Sequence, residues 1–146
     1  MILYCDTSAL IKLYLKEDFS EMVHALAVNA TAIAACRITW AETMAGFARR
    51  SRENPADSNA IELCRKHFHS EWHRYMIVEV NQDLMELAGD FADTFALRAH
   101  DSVQLAAART LQKEITEELH FACFDNRLQK AARVLGMQTH SSSQFS

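Results

Sequence analysis

Four acidic side chains in this 146-residue sequence stand where chemistry could be done. Asp6 directly follows the apolar run Ile2-Leu3-Tyr4-Cys5, and Asp125 directly follows Phe121-Ala122-Cys123-Phe124. Glu42 falls in the first turn of a predicted helix after the run Ala32–Cys36, and Asp101 opens another predicted helix. Each acid alone has an ordinary structural role. Asp6 and Asp125 suit helix N-caps, which accept hydrogen bonds from the orphan N–H groups of a first turn. Thr39-Trp40-Ala41-Glu42 fits a capping box, and Asp101 would complement the positive end of its helix dipole. Together the four imply something else. Two unit charges about 4 Å apart interact by roughly 4 kcal/mol at an effective dielectric of about 20. Four carboxylates in one crevice therefore repel strongly unless protonated or neutralised. With no partnering lysine, such a cluster reads as a site for Mg²⁺ or Mn²⁺, hard cations that prefer oxygen ligands. A cation held there could activate water against a phosphodiester.

The acids matter only if the chain brings them to one place. Apolar residues recur at helical spacing after Asp6 (Leu10, Leu13, Tyr14), so strand followed by helix is expected. Helices are predicted over Ser20–Val28, Trp40–Arg52 and Ala56–Trp72, with Asn54-Pro55 punctuating the last two. The β-branched run Met76–Val80 predicts a strand, and Leu84 to Leu97 an amphipathic helix. A further helix is expected from Asp101 to Lys113, a strand over Phe121–Phe124, and a helix over Leu128–Leu135 closed by Gly136. A last short strand is expected over Met137–Thr139. Strands alternating with helices predict a parallel sheet covered on both faces, because parallel strands need crossover connections. In such a sheet ligands bind outside the carboxyl ends of the strands. Asp6, Glu42 and Asp125 should share that edge; Asp101 follows a helix-to-helix step, so its position is fixed less directly.

Composition sets the outer bounds. The length suits one domain over residues 1–140, with a polar tail over 141–146. Three glycines and one proline argue against an all-β domain built on tight turns. A net charge of −4 excludes a uniformly basic nucleic-acid coat but not a local basic patch. Cys5, Cys36, Cys64 and Cys123 are scattered without a C-x-x-C pair, and three sit in apolar runs, as reduced buried thiols do. The start, Met1 to Leu15, is broken by Asp6 and Lys12 and lacks the basic region of a signal peptide. Ala25–Cys36 is too short to span a bilayer. A cytoplasmic protein is expected.

The cations concentrate in one stretch. Residues 49 to 74 hold six cations against four acids, a local +2, whereas the rest of the chain holds nine against fifteen, or −6. Arg49, Arg50 and Arg52 begin this predicted helical hairpin, which serves equally as a solvated helix surface or as a grip on RNA phosphates. Trp72 and Tyr75 could stack on bases but read first as core. His69 and His73 are four apart, but Glu71 does not follow His69 directly, so H-E-x-x-H is not satisfied. Cys64 and His67 add no recognised zinc spacing.

Four pieces in order resemble the PIN-domain family, in particular its VapC-type toxin ribonucleases. They are Asp6-Thr7-Ser8-Ala9-Leu10 with Lys12-Leu13-Tyr14, then Glu42 within Thr39–Glu42, then Leu97 to Ala106 around Asp101, then Phe124 to Leu128 with Ala131-Ala132 and Gly136. The resemblance spans residues 2 to 140. It implies a three-layer α/β/α fold with a parallel sheet of about five strands. It also implies a Mg²⁺-dependent endoribonuclease (Mn²⁺ as the substitute), a homodimer paired with a cognate antitoxin. Carried over, Asp6 and Asp101 would be the central metal ligands, Glu42 would bind metal directly or through water, and Asp125 would complete the site or position the attacking water. Ser8 would lend a hydroxyl near the metal, or serve only as a first-turn residue. Two departures stand out. Cys123 replaces a hydroxyl two residues before the last acid, and a thiol is a poor donor. His100 is unexpected beside Asp101; it reads first as a solvated helix-start residue and second as a sensor of the substrate phosphate. A rival from another class is a PIN-like RNA-binding or assembly module with weak catalysis. A phospho-accepting signalling domain is disfavoured, since neither paired acids after the first strand nor a lysine after the last one is present.

Overall fold

The structure, a computed structural model, describes residues 1–141. Residues 142–146 of the expected polar tail lie outside the described residues. The elements are β1 (Ile2–Cys5), α1 (Thr7–Leu10), α2 (Ser20–Asn29), β2 (Ala32–Cys36), α3 (Thr39–Glu53), α4 (Ser58–Glu71), β3 (Met76–Val78), α5 (Gln82–Phe95), α6 (Ala99–Glu114), β4 (Leu119–Ala122), α7 (Asn126–Val134) and β5 (Gln138–Thr139). Short 3₁₀ turns extend α1 and flank α4. All strand pairs are parallel, in the order β3-β2-β1-β4-β5.

Alternation along the strands builds the two cores. Ile2, Tyr4, Ala34, Cys36 and Phe121 face α5, α6 and α7, while Leu3, Cys5, Ala35 and Ala122 face the α1–α4 side. That gives the expected three-layer α/β/α arrangement, with about 2–3 kcal/mol from each large apolar side chain buried as fully as Phe47, Phe68 and Phe121. On the α1–α4 side Phe68 contacts the rings of Tyr14, Trp40, Phe47 and Trp72, so the hairpin aromatics serve the core, as expected for Trp72 and Tyr75. Among the described residues no helix is long and apolar enough to cross a membrane.

Several predicted boundaries move, each for a hydrogen-bonding reason. The strand expected over Phe121–Phe124 runs instead from Leu119 to Ala122, because the Cys123 carbonyl leaves the ladder and accepts from the Gln129 side chain at 2.8 Å. The third strand stops at Val78 rather than Val80, since Asn81 turns the chain to cap α5 by accepting from Leu84 N–H at 2.9 Å. Met137 belongs to the end of α7 rather than to β5. Its N–H bonds Ala132 C=O at 3.0 Å while Gly136 N–H bonds Arg133 C=O at 2.9 Å, a Schellman closure. Gly136, at φ +85°, takes the left-handed conformation that this closure requires. The capping box does not form: α3 is preceded by Ile38 without a side-chain cap, and Thr39 lies inside the helix.

Sheet order locates the crevice. From β1 the chain builds outward through β2 and β3, then crosses back to add β4 and β5 on the other side. The carboxyl ends of β1 and β4 therefore diverge at the switch point, where an open sheet leaves room for a ligand.

Candidate active site

Asp6 leaves the end of β1 and turns immediately into α1. It is the N-cap of that helix, its Oδ1 accepting from Ala9 N–H at 2.9 Å and from Ser8 Oγ–H at 2.7 Å. The helix-capping role and a role in a site thus coexist in one carboxylate. Asp6 is only 6% exposed, and its carboxyl is pushed up to about 7. Burial is the main cause; the Ser8 and Ala9 bonds pull the other way, and the nearby charges of Asp101 and Glu42 push up again.

Glu42 reaches the same crevice from the first turn of α3. Its Oε1 accepts from Thr7 Oγ–H at 2.9 Å and from Gln104 Nε2 at 3.2 Å. Gln104 is the hub of a buried network. Its Oε1 accepts from the Tyr4 hydroxyl at 2.7 Å, and its Nε2 also reaches Thr39 Oγ1 at 3.0 Å. Thr39, read as a cap from sequence, instead helps to orient this amide.

Asp101 lies in the first turn of α6, buried like Asp6, and pairs through Oδ2 with Arg98 at 3.1 Å. Arg98 also approaches Asp125 at 3.9 Å. Asp125 caps α7, accepting from Leu128 N–H at 2.8 Å, and is part-exposed. Cys123 does not support that carboxylate: its thiol points to the Asp125 backbone carbonyl at 3.8 Å, and burial, followed by the charge of Asp6, pushes the thiol up. His100 is half-exposed, with Nε2 3.5 Å from Asp101.

These residues line one cavity of about 630 Å³ that contains Asp6, Glu42, Asp101 and Asp125 on its walls together with Ser8 and Arg49. The structure thus brings together all four acids and two of the four substrate-binding candidates. Arg50 lies beside this cavity, paired with Glu17 at 3.2 Å, and Arg52 is exposed on the last turn of α3 outside the cavity. Sequence reasoning missed Arg98, Thr7 and Gln104. The signal for two of them was present: Arg98 and Gln104 stand three residues either side of Asp101, on its own helical face.

The donor set is oxygen-rich, which fits a hard divalent cation rather than zinc. Among the described residues no three His, Cys, Asp or Glu side chains form a ready-made cage. Mg²⁺ suits an open set of this kind, being held through one or two carboxylates with water and substrate oxygen filling the rest. Asp6 and Asp101, the two buried acids, are the candidates for direct contact, with Glu42 and Asp125 at the rim. The zinc reading of the hairpin gains nothing: His67 pairs with Glu71 at 2.7 Å, and His69 packs on the Trp40 ring.

Comparison with known proteins agrees with this architecture. Residues 3–134 match the PIN domain family. Ribonuclease VapC45 of Mycobacterium tuberculosis (strain CDC 1551 / Oshkosh) is 27% identical over 135 residues, covering 92% of each chain. A toxin-antitoxin complex from Klebsiella pneumoniae shares the fold with a TM-score of 0.62 at 20% identity, over 88% of this chain and 90% of that one. VapBC2 from Rickettsia felis, solved bound to a DNA fragment from their promoter, gives 0.62 at 15% identity over 96% and 98%. With the family match running from β1 to the end of α7 on a five-stranded parallel sheet, this chain belongs to the PIN domain family.

Proposed function

We propose that this chain is a divalent-metal-dependent endoribonuclease that hydrolyses RNA phosphodiester bonds, acting in the cytoplasm as the toxin of a toxin–antitoxin pair. The observation that carries the reading is the convergence of Asp6, Glu42, Asp101 and Asp125 on one cavity at the switch point. The relative named as a ribonuclease and the neighbour solved as a toxin-antitoxin complex support it. A bound Mg²⁺, or Mn²⁺ in its place, would activate water and stabilise the leaving oxygen. The protein's part is positioning. Asp6 and Asp101 hold the cation; Glu42, fixed by Thr7 and Gln104, contacts it directly or through water; Asp125, fixed by the first turn of α7, orients the attacking water. Ser8 and Arg49 face the substrate from the cavity wall, with Arg50 and Arg52 further along α3. A homodimer would set two basic hairpins around one RNA, and a cognate antitoxin would cover the crevice.

A defined single-stranded RNA incubated with the protein tests this reading. Cleavage should appear with Mg²⁺ or Mn²⁺, vanish with EDTA, and fall about 10²-fold or more in Asp6→Asn and Asp101→Asn proteins that remain folded by circular dichroism. Cleavage that survives both substitutions, or that ignores EDTA, would refute it. The rival reading, a weakly catalytic RNA-binding or assembly module, is favoured by one detail: the Cys123 thiol gives the Asp125 carboxylate no hydrogen bond. RNA binding without turnover in either metal would select it.

A further inference from the structure

A second cavity, of about 620 Å³, adjoins the acidic one and shares Arg98, Asp101, Phe124 and Asp125 with it as a common wall. Its remaining lining is different in character: Asn126, Arg127 and Lys130 of α7, with Ala96 and Leu97 from the turn before α6. The acidic cavity sets four carboxylates against two arginines, whereas this one sets three cations against two carboxylates. A polyanionic strand crossing the site would therefore meet a cation-rich wall one step away from the acids.

Resting on the ribonuclease reading, we infer that the α7 cavity is the track for the RNA backbone on one side of the cleaved bond, with Arg127 and Lys130 each holding one of the flanking phosphates. The geometry gives each residue its task. Arg127 donates one N–H to the Ala96 carbonyl at 2.9 Å, which leaves the rest of its five-donor fork for a phosphate. Ala96 sits at φ +52°, in the turn between α5 and α6 that leads directly into Arg98. The same side chain therefore anchors the turn that carries Arg98 to Asp101. Lys130 lies one helical turn beyond Arg127's neighbour Asn126, exposed and without a side-chain hydrogen bond or ion pair among the described residues. It is a free point charge facing the cavity. Of the two cavities, both cations line only this one, whereas Arg49 of α3 lines only the acidic one, so the strand would meet cations in each of the two adjoining cavities.

The test measures binding of a fluorescent single-stranded 12-nucleotide RNA in Mg²⁺, in the Asp6→Asn background so that the strand stays whole. Removing both charges (Arg127→Gln with Lys130→Gln) should weaken binding about tenfold and lower the slope of log affinity against log salt by about 1.4, or 0.7 per lost phosphate contact. Lys130→Gln alone should lower it by about 0.7, and it disturbs no hydrogen bond or ion pair among the described residues. Lys113→Gln, which removes an equal charge from the last turn of α6, should leave the slope unchanged. An equal loss in Lys113→Gln, or an unchanged slope in the double variant, would overturn the proposal. The ribonuclease reading is scored apart, on cleavage by the protein with Asp6 intact; a protein that binds RNA without cutting it would fail that reading while the salt slopes still decide this one.

Discussion

Replacing Asp6 by asparagine should stabilise the metal-free protein, and more so as pH rises. Asparagine keeps an Oδ1 for Ala9 N–H and Ser8 Oγ–H, so the cap of α1 survives and only the charge is removed. Folding moves the Asp6 carboxyl from its ordinary 3.8 to about 7. About three pKa units correspond to about 4 kcal/mol between the two protonation states. Because the folded value lies above the unfolded one, the carboxyl's stabilising contribution is fully present below 3.8 and lost as pH climbs through about 7. Between pH 5 and pH 8 the linkage relation gives about 3 kcal/mol, by which the parent should fall behind the variant. For a chain of this size that gap is worth about 10 °C in melting temperature. Urea unfolding of both proteins in EDTA at several pH values reads it directly, and titrating groups remote from Asp6 cancel in the difference. A gap that stays constant, or an asparagine variant that is the weaker protein at pH 8, would show that Asp6 is not a destabilised buried charge. Stability gained where activity is lost is the usual mark of a residue kept for function.

Three further outcomes are expected. Gln104→Leu should cost about 2 kcal/mol in urea unfolding, since the buried Tyr4 hydroxyl loses its acceptor, and should slow RNA cleavage by freeing Glu42; unchanged cleavage would remove the network from the site. Gly46→Ala places a Cβ 2.7 Å from Ile11 Cδ1, but that is the movable end of a side chain, and the helix gains about 1 kcal/mol from alanine, so the net change should stay within about 1 kcal/mol. A larger loss would mean that α1 and α3 cannot adjust. A thiol reagent should modify one cysteine, Cys64, in the native protein and all four after unfolding, because Cys5, Cys36 and Cys123 are buried; fast native modification of a second thiol would contradict this packing.

The sheet and its acids were legible because both depend on local patterns. Short apolar runs ending in an acid mark β1 and its helix cap directly, and the alternation of strand and helix implies parallel pairing. Strand ends were read less well, since they are decided by side chains remote in the chain, as when Gln129 draws the Cys123 carbonyl out of the ladder. The convergence of Asp101 with the other acids could not be read from its own neighbourhood. It depends on α5 and α6 packing as a pair on one face of the sheet, a tertiary outcome. Gln104 was legible only in part: its place three residues after Asp101 puts it on that acid's helical face, but its role emerges only when Tyr4 from β1 and Thr39 and Glu42 from α3 arrive around it.

Crowded carboxylates call for neutralisation, and a bound cation is one source of it beside those the fold itself supplies. Each acid has a compensator of its own: Asp6 a raised proton affinity and two donors, Glu42 the donors Thr7 and Gln104, Asp101 the guanidinium of Arg98, and Asp125 the first turn of α7. A cation entering the cavity would have to displace the Asp6 proton and compete with Arg98 for Asp101, and both steps subtract from its affinity. Binding should therefore strengthen as pH rises through about 7, where Asp6 sheds its proton. Calorimetric titration with Mg²⁺ at pH 6 and pH 8 should show weaker binding and greater proton release at the lower pH. An Arg98→Gln variant should bind the ion more tightly than the parent while holding RNA less well, because one side chain serves both as the resting counter-ion of Asp101 and as part of the wall that meets phosphate. Tighter RNA binding in that variant would break the link between the two cavities.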